Sequence, residues 1–300
     1  MSNFKDSTLS PERSAQDGKP TLQDRSIGNI IAEANNLSAD QVERILAHQK
    51  SHGLKFGEAA VALGLANGED VLWALSQQFH YPYAAGGGGP QSSEELVLAN
   101  KPFSHQAEAF RVLRSQINMR LFNADEPRRA IAVVSHDSGD GKSFFAANMA
   151  IAFSQLGGRT LLVDADMRGP RQHEIFGIDN KAGLSGILSG RAEANVIRPV
   201  AELPSLFVMP VGTQPPNPME LVERPAFGLL MRELVSKFDY VIVDTPAAVY
   251  GADYAVIAAR CGAALALARK GTTRVNAVQE LVTTLSNSPA KLAGVIMNEY

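Results

Sequence analysis

Apolar side chains recur at two different periods along the chain. Between residues 26 and 83 they recur every three to four positions, as Val42, Ile45 and Leu46 do after Ser38. This spacing predicts short amphipathic helices, and serine is a residue type that caps a helix N-terminus well. The pattern occurs twice with a period of about 29 residues, which predicts a small duplicated helical module.

From residue 99 onward, short uninterrupted apolar runs alternate with longer helical patterns. Such runs are typical of strands that are buried on both faces of a parallel sheet. The predicted fold class is therefore α/β, a mostly parallel sheet with helices on both faces. In such sheets, ligands bind at the carboxyl ends of the strands. The predicted strands are Ala130–Ser135, Thr160–Asp164, Leu206–Val211, Tyr240–Asp244, Ala263–Ala268 and Leu292–Asn298.

Two segments lack the apolar residues that regular structure needs. The first 25 residues are polar and predict a disordered tail. A later segment contains the consecutive glycines Gly86–Gly89, which predict a flexible linker. We therefore expect four regions: a tail at 1–25, a small helical repeat domain at 26–83, a Gly-rich linker at 84–98 and an α/β domain at 99–300.

Composition excludes several classes of function. The chain has 28 Lys and Arg against 31 Asp and Glu, and a net charge of −3 argues against a nucleic-acid partner. Its one cysteine, Cys261, excludes an intrachain disulfide. No apolar run reaches the roughly 18 residues that span a bilayer, so we expect no direct membrane insertion and a cytoplasmic location.

The segment SHDSGDGKS at residues 135–143 follows a predicted strand and precedes the helical pattern Phe144–Leu156. Glycines in such a loop let backbone N–H groups converge on an anion, and the following helix adds its dipole. Lys142 would reach the β- and γ-phosphates of a nucleotide, and the Ser143 hydroxyl would ligate Mg²⁺. His136 replaces the usual first glycine of this pattern, so the interpretation depends on the strand and helix around it.

Acidic residues end two more predicted strands. Asp164 and Asp166 follow a buried run and precede Arg168, and Asp244 ends the run YVIVD. These strand ends lie at the same edge of a parallel sheet as the phosphate loop, so the carboxylates are candidates for holding Mg²⁺ and accepting a proton. An Asp-x-Asp pair alone is a weak signal, because it is more often a solvated turn or a helix cap.

Together the three motifs resemble those of the bacterial tyrosine kinases of polysaccharide export, most closely the chain-length-determinant kinases of the EpsG type. The resemblance covers residues 99–300, with the family's Asp-x-Asp-x-Arg motif at Asp164, Asp166 and Arg168 and its Asp-Thr-Pro motif at Asp244. It implies a P-loop protein-tyrosine kinase that uses ATP and Mg²⁺, phosphorylates itself, and regulates the polymerisation, export and chain length of an exopolysaccharide.

The resemblance also implies roles for single residues. Asp164 would orient or deprotonate the attacking hydroxyl, and Arg168 would neutralise phosphate charge. Ser143, Asp166 and, through water, Asp244 would hold the metal. The implied catalytic residues are Lys142, Asp164, Asp166 and Arg168, and the implied nucleotide-binding residues are Ser138, Gly139, Asp140, Gly141, Lys142, Ser143, Phe144 and, on adenine, Asn298.

Self-association and a membrane partner are further implications. Glu108, Arg111 and Arg114 match the family's Glu-x-x-Arg-x-x-Arg pattern, which serves ring-like assembly of a homo-oligomer. Their spacing places all three on one helix face, where an exposed salt-bridged helix would look the same. The family also implies activation by the cytoplasmic tail of a membrane polysaccharide co-polymerase, here a separate chain, which would recruit the kinase to the inner membrane.

The tyrosines differ from the family's pattern. These kinases usually end in a tyrosine-rich tail, whereas this sequence offers Tyr300, Tyr81 and Tyr83 as candidate phosphoacceptors. Tyrosine specificity is therefore implied by the resemblance and not by a tail.

The helical repeat resembles the N-terminal domain of type II secretion and pilus ATPases. Some of those domains bind cyclic di-GMP through paired Arg-Leu-Gly elements. The corresponding positions here are Ser26-Ile27-Gly28 and Lys55-Phe56-Gly57, which lack both arginines. We therefore expect the module to dock a protein, and cyclic di-GMP is the less favoured ligand.

Two other functions stay open at this point. A MinD/ParA-like ATPase shares the fold and hydrolyses ATP without phosphorylating protein, but it carries a lysine where this chain has Asp137. An adaptor without kinase activity would bind ATP only to assemble, with the helical repeat as its docking head. Loss of assembly in the Lys142→Met variant, with no phosphotransfer ever detected, would support the adaptor.

Overall fold

The computed structural model describes residues 26–78, 93–122, 126–191 and 194–299. The chain divides into two units, Met1–His80 and Tyr81–Tyr300, and each has hydrophobic clusters of its own. The predicted tail and the larger part of the predicted linker lie outside the described residues.

The N-terminal unit is helical, as its apolar spacing predicts. Ser38 and Gln41 cap the second helix reciprocally, because each side-chain oxygen accepts from the other residue's N–H, at 3.3 and 2.8 Å. Asn67 and Asp70 make the same exchange before the fourth helix, at 2.9 and 2.8 Å. The two halves of the repeat thus start a helix in the same way. The helices are α1 (Ile27–Ala34), α2 (Ala39–His52), α3 (Phe56–Ala62) and α4 (Gly68–Gln78).

A seven-stranded sheet forms the centre of the second unit. Its strands are β1 (Ala130–Ser135), β2 (Thr160–Asp164), β3 (Arg198–Val200), β4 (Leu203–Met209), β5 (Tyr240–Asp244), β6 (Gly262–Arg269) and β7 (Lys291–Asn298). The strand order is β3-β4-β2-β5-β1-β6-β7, and all neighbours are parallel except β3 and β4. The prediction of a mostly parallel α/β sheet is confirmed.

One edge of the sheet differs from the prediction. The apolar run predicts a strand at Leu206–Val211, but β4 begins at Leu203 and ends at Met209. The three-residue strand β3, which pairs antiparallel with β4, is not predicted at all. The pattern fails there because none of the β3 side chains is fully buried, so no apolar run marks an edge strand of this kind.

Helices cover both faces of the sheet. They are α5 (Val97–Asn100), α6 (His105–Leu121), α7 (Lys142–Ser154), α8 (Gln172–Ile175), α9 (Leu184–Leu188), α10 (Pro218–Glu223), α11 (Pro225–Lys237), α12 (Asp253–Cys261) and α13 (Val275–Ser286), with a short 3₁₀ helix at Ala248–Tyr250. Side chains of β1 alternate between the faces, so that Ile131 packs in the cluster of α6 and α7, and Ala132 lies on the opposite face. In the described parts of the chain, no helix is long and apolar enough to cross a bilayer.

The end of the predicted linker belongs to the second unit. Leu96 and Leu98 are buried in the core of the sheet, although the linker is predicted to extend to residue 98. Asn148 of α7 fixes this segment, since its Oδ1 accepts from the Leu98 N–H at 3.2 Å and its Nδ2 donates to the Glu95 carbonyl at 2.8 Å. The structure therefore corrects the linker prediction for residues 93–98.

Candidate active site

Two glycines shape the loop between β1 and α7. Gly139 and Gly141 have φ angles of +88° and +94°, a region that residues with a Cβ rarely adopt. Backbone N–H groups in such a loop can converge on an anion, and α7 begins directly after it at Lys142. The local geometry fits the phosphate-binding loop that the sequence predicts.

The Lys142 side chain lies against this loop. Its Nζ donates to Ser135 Oγ at 3.0 Å and to the Asp137 carbonyl at 3.4 Å. The residue is buried, which strengthens any interaction of its charge with a phosphate. Lys142 is thus held where it can bind a nucleotide phosphate.

Asp140 supports the loop from inside. Its Oδ2 accepts from the Asp137 N–H at 3.0 Å, and its Oδ1 accepts from Thr273 Oγ1 at 2.9 Å. The Asp140 carbonyl accepts from Asn298 Nδ2 at 3.0 Å, which ties the loop to the end of β7. The Asp140 side chain is buried, and both of its carboxylate oxygens already accept hydrogen bonds within the chain. It therefore contributes to the predicted nucleotide site by fixing the backbone of the loop.

Two strand-end carboxylates lie side by side in the sheet. Asp164 of β2 and Asp244 of β5 are direct partners in the parallel register, and both are fully buried. Asp164 Oδ1 accepts from the Asp166 N–H at 3.1 Å. Asp164 Oδ2 accepts from the N–H groups of Arg171 and Gln172 at 3.1 and 3.0 Å. Asp164 therefore fixes the loop that follows β2.

Burial raises the pKa of both carboxyl groups. The pKa of Asp164 lies well above its usual range, because of burial first and the neighbouring Asp244 second. Burial raises the pKa of Asp244 to about 6, while a hydrogen bond from Gln172 Nε2 to Asp244 Oδ2 at 2.8 Å lowers it. Asp244 Oδ1 is buried and has no hydrogen-bond partner among the described residues. A cation held near this oxygen through water would stabilise the buried negative charge, and the water would supply the missing hydrogen bond.

Asp166 and Arg168 project from the loop after β2. Asp166 Oδ1 accepts from the N–H groups of Arg168 and Gly169 at 3.1 and 2.9 Å. Arg168 Nη2 donates to both oxygens of the buried Asp253 at 3.2 and 3.0 Å. Hydrogen bonds within the chain thus fix the positions of the Asp166 carboxylate and the Arg168 guanidinium at one side of the site.

A cavity of about 630 Å³ joins these loops. Asp140, Asp164 and Asp244 do not line it, and as buried residues they support those that do. Of the predicted site residues, the cavity brings together Ser138, Gly139, Gly141, Lys142, Ser143, Phe144, Asp166, Arg168 and Asn298, and its other lining residues are Glu95, Gly169, Arg171, Tyr250 and Arg269.

Comparison with known proteins identifies the family. The CobQ/CobB/MinD/ParA nucleotide binding domain matches residues 131–300. The tyrosine-protein kinase CpsD of Streptococcus agalactiae is 32% identical over 193 residues, which are 64% of this chain and 82% of CpsD. The chain belongs to the bacterial tyrosine kinases.

Two further matches agree with this family assignment. The tyrosine-protein kinase wzc of Salmonella typhi is 33% identical over 205 residues, which are 68% of this chain but 28% of wzc. The kinase domain of the Escherichia coli tyrosine kinase ETK matches with a TM-score of 0.65 and 29% identity, over 70% of this chain and 82% of that domain.

The kinase site has the donor set that Mg²⁺ prefers. Ser143 and Asp166 line the cavity, and Asp244 offers the unpartnered buried oxygen. In the part of the chain that the structure describes, no three His, Cys, Asp or Glu side chains form a ready-made metal site. Mg²⁺ is usually held by one or two carboxylates together with substrate phosphates, so the residues present fit this ion.

Gln172 is a site residue that the sequence motifs miss. It is fully buried at the start of α8, and its Nε2 donates to Asp244 Oδ2 at 2.8 Å and to the Ser143 carbonyl at 3.1 Å. With its N–H on Asp164, it joins the phosphate loop to both strand-end acids. A polar residue in a loop carries no periodic signal, so only the three-dimensional contacts reveal it.

The predicted self-association residues lie on α6 and make contacts within the chain. Arg111 pairs with Glu108 at 2.9 Å, and Arg114 Nη1 donates to the Ala152 carbonyl at 2.7 Å. The Glu108 side chain is 64% exposed and that of Arg111 is 17% exposed. A role of these residues in self-association stays a prediction.

The tyrosines of the kinase have very different settings. The predicted acceptors Tyr300, Tyr81 and Tyr83 lie outside the described residues, and their role stays a prediction. Among the described tyrosines, Tyr240 packs on Phe153 with ring centroids 4.6 Å apart, and Tyr254 is buried. Tyr250 is 52% exposed and lines the cavity.

Proposed function

We propose that this chain is an ATP- and Mg²⁺-dependent protein-tyrosine kinase that regulates the polymerisation and chain length of an exopolysaccharide. The observation that carries the proposal is one cavity where Lys142 of the phosphate loop meets Asp166, supported by the buried Asp244. Phosphoryl transfer depends on positioning and charge neutralisation, and this cavity offers groups for both. The relatives CpsD and wzc, named as tyrosine-protein kinases, support the same reaction.

ATP binding would use the phosphate loop and the end of β7. The loop amides and Lys142 would hold the phosphates, and Asn298 would contact adenine. The hydrogen bond from Asn298 to the Asp140 carbonyl supports this arrangement, because it joins the two ends of the nucleotide site directly. Ser143 and, through water, Asp244 would hold Mg²⁺, which when bound offsets negative charge on the phosphates. Asp166, which the resemblance also implies as a metal ligand, is assigned here to the proton instead.

The transfer itself would depend on Asp166 and Arg168. Asp166 lines the cavity whereas Asp164 does not, so Asp166 is the better-placed carboxylate to accept the tyrosine proton. Asp164 would act as a positioning residue, because its Oδ1 accepts from the Asp166 N–H. Arg168, held by Asp253, would add positive charge beside the transferred group.

Transfer of labelled phosphate from ATP to a Glu-Tyr copolymer tests this proposal. We expect Lys142→Met and Asp166→Asn to lower the rate at least about 100-fold, with ATP binding retained in Asp166→Asn. Asp164→Asn should lose ATP binding as well, because an amide N–H₂ replaces one of the oxygens that accept backbone N–H groups. The exposed Asp179→Asn is the matched control. ATP hydrolysis without any phosphotyrosine would instead support the ATPase or the adaptor.

A membrane partner would regulate this kinase. The resemblance supports activation and recruitment by the cytoplasmic tail of a polysaccharide co-polymerase, with ring assembly through the helix face of Glu108, Arg111 and Arg114. We expect a peptide of that tail to raise the copolymer rate, and Glu108→Lys to lower the assembled fraction in sedimentation. Glu233→Lys on α11, whose native glutamate is also exposed and paired, is the control. A kinase that is fully active alone and indifferent to the peptide would refute this regulation.

A further inference from the structure

Tyr250 is an unassigned tyrosine at the edge of the active-site cavity. It ends the short 3₁₀ helix after β5, is 52% exposed, and lines the same cavity as Lys142 and Asp166. Its side chain makes no hydrogen bond to a described residue. It is the one tyrosine of the described residues that lines this cavity, since Tyr240 and Tyr254 pack elsewhere in the core.

The backbone around Tyr250 is fixed to the phosphate loop. The Val249 N–H donates to the carbonyl of His136, the second residue of the loop segment, at 3.0 Å. The N–H groups of Tyr250 and Gly251 close the turn on Ala247 and Ala248, each at 3.1 Å. The backbone of Tyr250 is therefore fixed beside the phosphate loop, while its phenol makes no hydrogen bond to a described residue that would have to be broken. A substrate that is part of the same chain reacts in an intramolecular step and needs no bimolecular encounter.

The lining of the cavity beside Tyr250 carries more positive than negative side chains. Arg168, Arg171 and Arg269 line the same cavity. Arg168 Nη2 lies 3.7 Å from the position that a Cβ would take at Gly251, the next residue after Tyr250. Arg168 is held there by the buried Asp253 at 3.0 Å. Guanidinium groups bind a phosphotyrosine dianion through charge-assisted hydrogen bonds, so this lining suits such a product.

We propose that Tyr250 is an intramolecular phosphoacceptor of the kinase, which rests on the kinase function proposed above. Tyr250 Oη forms a bond to the γ-phosphorus of ATP, and the bond from that phosphorus to the β–γ bridging oxygen breaks. ADP leaves with the electron pair, and the phenolic proton passes to Asp166. The modified tyrosine then occupies the side of the cavity where another tyrosine would enter, so its phosphorylation slows transfer to other substrates.

Mass spectrometry of the full chain after incubation with ATP and Mg²⁺ tests this inference. We expect phosphate on Tyr250, at an initial rate per chain that does not change when the protein is diluted 100-fold. Lys142→Met chains should carry no phosphate on Tyr250, either alone or mixed with active Tyr250→Phe chains. The buried Tyr254 on the same tryptic peptide provides the internal control, since fragment ions should assign no phosphate to it. Copolymer phosphorylation by wild type should fall several-fold after the incubation, and Tyr250→Phe should show no such fall.

Three outcomes would overturn the inference. Phosphate on the copolymer but none on Tyr250 would leave the kinase function standing and remove the acceptor. Phosphate on Tyr250 of the Lys142→Met chain in the mixture would show transfer between copies, against an intramolecular step. If neither the chain nor the copolymer carries phosphotyrosine, the kinase function is removed along with the acceptor.

Discussion

Gly141 shows how a single side-chain atom limits the phosphate loop. Both Gly139 and Gly141 have left-handed φ angles, so a Cβ would strain the backbone at either position. A Cβ at Gly139 would meet nothing within 4 Å. A Cβ at Gly141 would collide with Asn298 Nδ2, the group that binds the Asp140 carbonyl. Two glycines with the same backbone conformation therefore have different spatial requirements.

We predict a larger loss from Gly141→Ala than from Gly139→Ala. Each should cost the backbone strain of a left-handed non-glycine residue, about 1–3 kcal/mol in the free energy of unfolding. Gly141→Ala should also displace Asn298 and weaken ATP binding, measured by urea denaturation and by calorimetric titration. The double variant Gly141→Ala/Asn298→Ala should recover the excess loss of stability. Equal losses for the two single variants would contradict the steric argument.

Asp244 makes the stability of the metal-free kinase depend on pH. Its folded-state pKa of about 6 exceeds the ordinary value of 3.8, so the folded chain keeps a proton that the unfolded chain releases. Between these two values the contribution of Asp244 to the free energy of unfolding therefore falls as the pH rises, and above pH 6 that contribution is lost. The neighbouring Asp164, whose pKa is also raised, changes stability in the same direction. A shift of this size corresponds to roughly 3 kcal/mol.

Urea denaturation in EDTA between pH 4 and pH 8 measures this dependence. We predict that Asp244→Asn makes the fall with pH shallower, with the rest due to Asp164, and makes the metal-free chain more stable than wild type at pH 8. The exposed Asp179→Asn should leave the slope as it is. A wild-type profile that rises through this range would mean that Asp244 is stabilised in its charged form, contrary to its burial.

At the scale of residues, the sequence predicts which side chains carry the chemistry better than it predicts which of them are exposed to the cavity. The motifs place Asp164 and Asp244 at strand ends, Asp166 just after a strand and Lys142 in the phosphate loop before a helix, and the structure has all four in these positions. Sequence cannot tell that Asp164 is enclosed by three backbone N–H groups while Asp166 faces the cavity, because that depends on the path of the loop after β2. The sequence motifs miss Gln172 for the same reason, because its role also depends on the path of that loop.

Helix α7 connects the phosphate loop to the segment that follows the predicted linker. Asn148 on this helix is fully buried and bonds to the Leu98 N–H and the Glu95 carbonyl. Glu95 in turn pairs with Arg171 at 2.7 Å, and both line the cavity. Residues 93–98 are thus part of the support of the active site.

We predict that Asn148→Ala loosens this segment and lowers phosphotransfer. The substitution removes the partner of the buried Leu98 N–H, which costs about 1–3 kcal/mol, and of the part-buried Glu95 carbonyl, which costs less. Hydrogen exchange should speed up in residues 93–100, and the free energy of unfolding should fall. The exposed Asn276→Ala on α13 is the control and should change stability by less than about 0.5 kcal/mol. Unchanged exchange in Asn148→Ala would refute the connection.

At the scale of elements, the strand bounds are predicted correctly where both faces of the strand are buried. β1, β2 and β5 lie in the middle of the sheet, and the apolar runs give their bounds without error. β3 and β4 form one edge, where burial on one side removes the apolar run that marks a strand. The segment at residues 93–98 is missed because its few apolar residues stand beside a glycine run, and only the packing against α7 orders them.

The whole chain holds two separate sets of hydrophobic clusters. Ile31 and Ile45 anchor the small clusters of the helical unit, whereas the α/β unit has one large cluster on each face of its sheet. Small domains bury a smaller fraction of their surface, so the helical unit has less stabilisation per residue. Each unit should therefore unfold in a transition of its own.

Differential scanning calorimetry of the full chain tests this independence. We predict two transitions, of which the one with the smaller enthalpy belongs to the helical unit. ADP with Mg²⁺ at 100 times its Kd should add about 2.7 kcal/mol to the α/β unit, because ligand binds only its folded state. That transition should rise by several degrees and the smaller one should stay in place, while Lys142→Met abolishes the shift. A single transition, or a shift of both transitions with ligand, would contradict this independence. Either result would mean that the stability of the helical unit is coupled to the nucleotide site. A protein docked on the helical unit would then change nucleotide binding through that coupling.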